Sequence, residues 1–206
     1  MEQSFNQILL RGNLYSCPEF SHENHGKVFL RFLLEVPRLS GTSDLLPVIA
    51  EKGVMESADI SNGSIVSISG QIRTHNQRCN GHRHLLVFVF ASSITCESGL
   101  PVNDVSLDGI ICRPPVFRMT PLGREICDVM LAVPRAFHRS DYLPCIMWGR
   151  TAKEVSRCSV GDQLKLSGRF QSRSYTKTTE TGIEQKTAYE ISALTVQTQF
   201  PDSHNL

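Results

Sequence analysis

Long hydrophobic runs are missing from this chain. No apolar stretch reaches the ~18 residues of a helical membrane span, so no membrane association is expected. The opening Met1-Glu2-Gln3-Ser4-Phe5 lacks the basic and apolar segments of a secretory signal. Paired cysteine spacing is absent too. Seven cysteines, an odd number, lie scattered over 206 residues. That pattern argues against a disulfide framework and for reduced thiols in a cytoplasm. Catalytic signatures are equally scarce: there is no Gly-x-Ser-x-Gly, no His-Glu-x-x-His and no phosphate loop. Glu125 and Asp128, three apart in a strand-like segment, would face opposite sides, which argues against a metal-nuclease carboxylate pair. Cys79, His82 and His84, with His75 nearby, are close in sequence. Yet Asn80-Gly81 between them is a hairpin signal, and no second ligand pair has zinc spacing. The expectation is a non-enzyme with no metal and no cofactor.

Charge of either sign is also in short supply. The formal net charge is +1. Residues 1–100 hold 8 Lys/Arg against 9 Asp/Glu, and residues 101–206 hold 13 against 11. So weak an asymmetry identifies no partner, and the positions of the charges must carry the argument. Aromatic residues make up only 7% of the chain, with one Trp.

What the chain does have is a repeat. Asn6-Gln-Ile-Leu-Leu-Arg-Gly12-Asn-Leu14 returns 97 positions on as Asn103-Asp-Val-Ser-Leu-Asp-Gly109-Ile-Ile111. At the same offset Pro18 meets Pro115, Val36-Pro37-Arg38 meets Val133-Pro134-Arg135, and Ser43-Asp44 meets Ser140-Asp141. One inserted residue then shifts the offset to 98, where Gly63 meets Gly161 and Ser69-Gly70 meets Ser167-Gly168. Two copies of one small domain therefore fill the chain. The expected division is 1–97 and 98–206, with the short Glu97-Ser-Gly-Leu-Pro-Val102 linker holding the copies close.

Each copy reads as short alternating strands punctuated by Gly, Pro, Asn and Asp. In copy one the strands fall near Ile8–Gly12, Val28–Val36, Leu45–Ala50, Ser64–Ile72 and Leu85–Phe90, with a short helix around Val54–Ala58. In copy two they fall near Val105–Ile111, Glu125–Val133, Leu143–Trp148, Gln163–Phe170 and Thr187–Leu194, with a helix over Thr151–Cys158. Five strands with one short helix between the third and fourth match the OB-fold, a five-stranded Greek-key barrel. The fold class is therefore all-β, two OB barrels in tandem. Gly12, Gly70, Gly109 and Gly168 suit coiled strands that turn a barrel corner.

These residues resemble the bacterial single-stranded DNA-binding protein family. Its barrels open with Asn-x-Val-x-Leu-x-Gly-x-Leu, similar to Asn6–Leu14 and Asn103–Ile111. Tyr142-Leu-Pro-Cys-Ile-Met-Trp148-Gly149-Arg-Thr-Ala152 resembles the family's third strand and helix start. Gly161-Asp-Gln-Leu164 followed by Gly168-Arg-Phe-Gln-Ser-Arg173-Ser-Tyr175 is similar to its fourth strand. The resemblance implies base-stacking rings at Phe137, Tyr142, Trp148 and Tyr175. In copy one the same register gives Ser40, Leu45, Glu51 and Gln77, so that copy is expected to have lost the platform and to be mainly architectural. The resemblance also implies side-by-side assembly of barrels, with two chains giving four. The family's acidic, aromatic tail tip has no counterpart in Phe200–Leu206, which holds one acid.

The chemistry of such a site is simple. Every nucleobase has a π-face, and stacking on a ring contributes roughly 1–3 kcal/mol per base without reading sequence. Cations interleaved with the rings hold phosphates: Arg135 and Arg139 flank Phe137, Arg150 follows Trp148, Arg169 and Arg173 precede Tyr175, and Lys177 follows it. Each ring has a plainer reading: Trp148 as core, Tyr142 and Tyr175 as ordinary surface, Phe137 as loop packing or an interface anchor. The Thr-rich segment Tyr175–Tyr189 reads as a long hairpin that grips nucleic acid or as a solvated loop. The function expected is sequence-independent single-stranded DNA binding in replication, recombination or repair, with RNA possible. The competing reading is an OB-fold protein–protein module of primosome-accessory type, with little nucleic-acid binding.

Overall fold

The computed structural model describes residues 5–58, 60, 63–79, 82–179 and 182–199, with backbone alone for Cys79, His82, Arg83 and residues 177–179. The Asn80-Gly81 turn and the tail 200–206 lie outside the described residues. The elements of the first copy are β1 (Asn6–Leu14), β2 (Glu19–Asn24), β3 (Lys27–Pro37), β4 (Ser43–Glu51), α1 (Lys52–Glu56), β5 (Ile65–Cys79) and β6 (His82–Cys96). Those of the second are β7 (Val102–Ile111), β8 (Val116–Met119), β9 (Glu125–Arg135), β10 (Arg139–Trp148), α2 (Arg150–Val155), β11 (Gln163–Thr179) and β12 (Gly182–Gln199). No helix among the described residues is long and apolar enough to cross a membrane.

Five strands of each copy close a ring. In the first, β1 pairs with β3, β3 with β4, β4 in parallel with β6, β6 with β5, and β5 returns to β1. The second repeats this as β7–β9–β10–β12–β11–β7. The short helices follow β4 and β10, as the strand–helix order of the sequence implies. Each ring also carries a short edge strand, β2 or β8, paired to one side only. Alternation fills both interiors: Ile8, Leu10 and Leu14 point inward from β1, and Val105, Leu107 and Ile111 from β7.

The repeated Asn and Gly have a common task at the barrel corner. Pairing between β1 and β5 stops at Ile8 and Gly70. There the Asn6 side chain takes over. Its Nδ2 donates to the Ile72 carbonyl at 2.7 Å, and its Oδ1 accepts from the Ile72 N–H at 2.9 Å. Asn103 does the same with Phe170, at 2.7 and 2.9 Å. A carboxamide thus imitates one more strand residue where the backbones part.

The two barrels share one sheet. Strands β1 and β7 pair antiparallel from Asn6 opposite Leu107 to Arg11 opposite Val102. Ile8 lies opposite Val105, its own counterpart in the repeat. A residue facing its counterpart across antiparallel strands defines a pseudo-two-fold axis, the geometry of an isologous dimer built into one chain.

Two buried carboxylates lock this arrangement. Asp44, fully buried, accepts from the Ser172 N–H at 2.7 Å, from Arg38 Nε at 2.7 Å and also from Arg38 Nη2. Its counterpart Asp141 accepts from the Thr74 N–H at 2.8 Å and from Arg73 Nη1 at 2.9 Å, with Arg135 Nη1 at 3.4 Å. Each carboxylate therefore caps a strand of the opposite barrel. Hydrogen bonding to Asp44 raises Arg38 above the usual arginine value. Stripping one buried partner leaves cations and N–H groups unpaired, which costs roughly 3–5 kcal/mol. Asp44→Ala and Asp141→Ala are each expected to destabilise the chain by about that amount in urea unfolding. A change below ~1 kcal/mol in both would contradict the lock.

Candidate nucleic-acid interface

The outer surface of barrel two is set by strand alternation. On β10, Asp141, Leu143, Cys145 and Met147 point in, so Tyr142, Pro144, Ile146 and Trp148 point out. On β11, Leu164, Leu166 and Phe170 point in, and Arg169, Gln171, Arg173 and Tyr175 share the outer face. The bulge at Ser167/Gly168 leaves this alternation intact. The extra residue is taken up by β12, where Ser167 pairs with Thr195 but Gly168 with Ala193, skipping Leu194. Ile146 neighbours Ser192 in parallel, and Ser192 neighbours Arg169. The faces of β9, β10, β12 and β11 thus form one surface about 14 Å across.

The four rings fall as follows. Tyr142 is 47% exposed and Tyr175 is 39% exposed. Trp148 is half-buried, not core, and its Nε1–H donates to Ser192 Oγ at 3.0 Å. That bond lays the indole toward β12. Phe137 sits in the β9–β10 turn, 90% exposed, with φ of +62°, followed by His138 at +54°. Two successive non-glycine residues in the left-handed region are costly, about 1–3 kcal/mol each, and such strain clusters at functional sites. The structure brings Tyr142, Trp148 and Tyr175 to one outer surface and sets Phe137 at its rim.

The cations are less uniform. Arg139 and Arg150 are exposed. Arg173 is exposed, with its guanidinium 5.8 Å from the Tyr175 ring centroid and Nε 3.4 Å from Glu190. Arg169 and Arg135 are largely committed elsewhere, to Asp44 at 3.7 Å and to Asp141 at 3.4 Å. They hold the seam and reach the surface only in part. The side chain of Lys177 lies outside what is described. Sequence reasoning missed Arg118 on β8, which stands opposite Ile126 and binds Asp128 through Nε at 2.5 Å. That hydrogen bond raises Arg118 above the usual arginine value. It also missed Glu190, an 8%-exposed carboxylate bonded to Gln171 at 2.9 Å amid these cations.

Barrel one has none of the four rings, since Ser40, Leu45, Glu51 and Gln77 occupy those places. Its corresponding surface nonetheless carries Phe29, Phe88 and Phe90, which the position-by-position comparison overlooked. Two of these rings, Phe29 and Phe90, are turned on each other, and Phe29 also on His22. His22 stacks on Phe29 at 4.7 Å, and Phe29 lies 5.8 Å from Phe90. No described group of His, Cys, Asp and Glu is arranged to hold a metal ion.

The fold, the rings and the cations invite comparison with known proteins. The model of the single-strand binding protein family matches residues 102–199, the strands of barrel two. Over 80 residues the chain is 36% identical to single-stranded DNA-binding protein B of Bacillus subtilis (strain 168), covering 35% of this chain and 71% of that protein. The chain belongs to the single-strand binding protein family. A family member from Halalkalibacterium halodurans, the single-stranded DNA-binding protein, is 33% identical over 81 residues, and the match spans 36% of this chain and 48% of that one. The wild-type single-stranded DNA binding protein from Thermus aquaticus shares the fold across both barrels, with a TM-score of 0.77 over 98% of this chain and 96% of that chain at 22% identity.

The corner glycine of β11 offers a test of how the family surface is held. A Cβ on Gly168 would overlap the Ser192 carbonyl. Ser192 also anchors the Trp148 indole. Gly168→Ala is therefore expected to cost about 1–3 kcal/mol and to shift Trp148 emission. Urea unfolding followed by the emission of this only Trp measures both, and a wild-type curve would refute the account.

Proposed function

We propose that the chain binds single-stranded DNA without catalysis and largely without sequence preference. It would do so in cytoplasmic DNA replication, recombination or repair. The supporting observation is the shared outer surface of barrel two, which carries Tyr142, Trp148 and Tyr175 with Arg150 and Arg173, and which Arg169 reaches only in part. Phe137, Arg135 and Arg139 border it. Bases stack on the rings, each for roughly 1–3 kcal/mol, and phosphates meet the guanidinium groups. Residues 98–206 carry this platform, and residues 1–97 buttress it through the shared sheet. RNA stacks equally well, because a ring does not read the 2′-hydroxyl.

Fluorescent oligo-dT titrated with the full chain tests this reading. Binding should be salt-sensitive, and Trp148→Ala should weaken it by roughly 5- to 100-fold, the equivalent of one lost stack. The wild type's own Trp148 emission should be quenched on binding. No binding at low salt would overturn the reading and favour a protein–protein module.

Two chains are further proposed to join into a four-barrel assembly. An open groove of about 710 Å³ lies on the outer side of the β1–β7 seam, lined in part by Leu9, Ser69, Ser106, Ser167 and Leu194. Leu9 and Leu194 are exposed there, and the pseudo-two-fold axis passes between Ile8 and Val105 beneath them. A second copy can meet such a surface isologously. Sedimentation equilibrium should return twice the 23.0 kDa chain mass, and Leu9→Asp with Leu194→Asp should return it once. A strict wild-type monomer would exclude the pairing.

A further inference from the structure

A carboxylate stands in the middle of the ring surface, where a polyanion would have to lie. Glu190 on β12 is opposite Gln171 on β11, so both share the outer face. Two residues along β12 is Ser192, about 7 Å away, whose hydroxyl holds the Trp148 indole. Ser192 neighbours Ile146 of β10, so Glu190 falls beside Pro144, between Tyr142 and Trp148 along that strand. The barrel itself does not require an acid at this place. Gly168 pairs with Ala193 at the bulge of barrel two, and Gly70 with Ala91 at that of barrel one. Three residues on from each glycine, Gln171 faces Glu190 in barrel two, but Arg73 faces Phe88 in barrel one. The acid belongs to the barrel with the exposed rings.

The contacts of Glu190 point to a task. Gln171 Nε2 donates to its Oε1 at 2.9 Å, and Arg173 Nε lies 3.4 Å from the same oxygen. The Arg173 guanidinium is also 5.8 Å from the Tyr175 ring centroid. Glu190 thus meets Arg173 by its inner nitrogen. The two terminal nitrogens make no hydrogen bond to a described residue, and they form the fork that grips a phosphate. The Arg173 side chain is 52% exposed, whereas that of Glu190 is 10% exposed. An arginine so exposed loses rotamer freedom when it takes a ligand, unless a fixed partner already holds it. Hydrogen bonding to Asp44 and to Asp128 chiefly raises Arg38 and Arg118, and the charge of Glu190 adds to both. One nearly buried acid therefore faces cations from the β3–β4 turn, β8 and β11.

We propose that Glu190 is a positioning residue of the single-strand site, holding Arg173 beside the Tyr175 ring with its terminal nitrogens free for a phosphate. Its role rests on reading the outer surface of barrel two as that site. Electrostatics alone gives the opposite expectation. An acid that only repelled phosphates would tighten binding when removed, whereas an acid that aims the arginine weakens binding when removed.

The test uses the full chain and fluorescein-labelled oligo-dT at low salt, with Glu190→Ala, Glu190→Gln, Arg173→Ala, the Glu190→Ala/Arg173→Ala double variant and Trp148→Ala. Urea unfolding establishes which variants fold. Glu190→Ala is expected to lower affinity about 3- to 10-fold, although it removes a negative charge from an anion site. Glu190→Gln keeps an acceptor oxygen at the same reach and should stay within about 2-fold of wild type. In the Arg173→Ala background, Glu190→Ala should weaken binding no further, since nothing remains to be aimed. If Glu190→Ala does not fold, Glu190→Gln and Glu190→Asp replace it: the first should hold affinity, and the second, a methylene shorter, should lose it. Unchanged or tighter binding in Glu190→Ala (or Glu190→Asp), or equal weakening with and without Arg173, would overturn the role while a weak Trp148→Ala leaves the platform standing. A wild type that binds no oligo-dT, or a silent Trp148→Ala, would remove the platform and the role with it.

Discussion

The antiparallel pairing of β1 with β7 is the constraint from which the rest of the molecule follows. Because Ile8 lies opposite its own repeat counterpart Val105, the main contacts of one barrel on the other recur in mirrored form 97 or 98 positions away. Asp44 on Ser172 is matched by Asp141 on Thr74, and Arg38 beside Asp44 by Arg135 beside Asp141. A sheet edge left open on either barrel would be a pairing hazard. Here the two edges satisfy each other within one chain. The linker spares the copies the loss of freedom that separate chains incur on associating.

That symmetry governs which charges remain for a ligand. Burying Asp44 and Asp141 requires cations; the repeat supplies Arg38 and Arg135, and Arg169 and Arg73 each add one from the opposite barrel. Arg135 and Arg169 are drawn in this way toward structure, although Arg135 stands two residues from the exposed ring of Phe137. The surface is left with Arg139, Arg150 and Arg173, of which Arg173 is shared with Glu190. A near-neutral chain can therefore still present a cationic strip, because its acids are placed against particular arginines and not spread evenly. Net charge reports on solubility and steering, while the strip is a matter of position.

Much of the fold was legible because it repeats. The opening Asn and the corner Gly recur in both copies, and each meets a backbone demand that few other residues meet. The edge strands were not legible. Glu19–Asn24 is almost wholly exposed, and Val116–Met119 wholly so, hence neither shows a buried alternate face. The outward direction of Tyr142 and Trp148 was legible in outline from the apolar Leu143, Cys145 and Met147 between them. The pairing of Arg135 and Arg169 with buried aspartates was not. Ser172 and Asp44, for example, are 128 positions apart, and no local pattern reports such a contact. Phe88 and Phe90 escaped for a different reason. In Leu85–Phe90 every residue is apolar, so the sequence cannot say which alternate set faces out.

The two copies have diverged in how they use aromatic surface. In barrel one, Phe29 has His22 parallel to it at 4.7 Å and is nearly buried, and Phe90 tilts against it. A ring whose face is already covered by another ring offers no flat surface to a base. In barrel two, the ring contact among described residues is Phe170 with Tyr189, on the core side, where burial also raises the Tyr189 hydroxyl above its usual value. Phe137, Tyr142 and Tyr175 are exposed, Tyr175 with the Arg173 guanidinium over its ring. One barrel thus has rings packed on one another, while the other has exposed rings on a surface joined to its twin through the shared sheet. Rigidity matters here because a stacking ligand gains only what remains after the site itself is ordered. For the proposed platform, two buried carboxylates, the shared sheet and the Trp148–Ser192 bond are the contacts that reduce what a ligand must order.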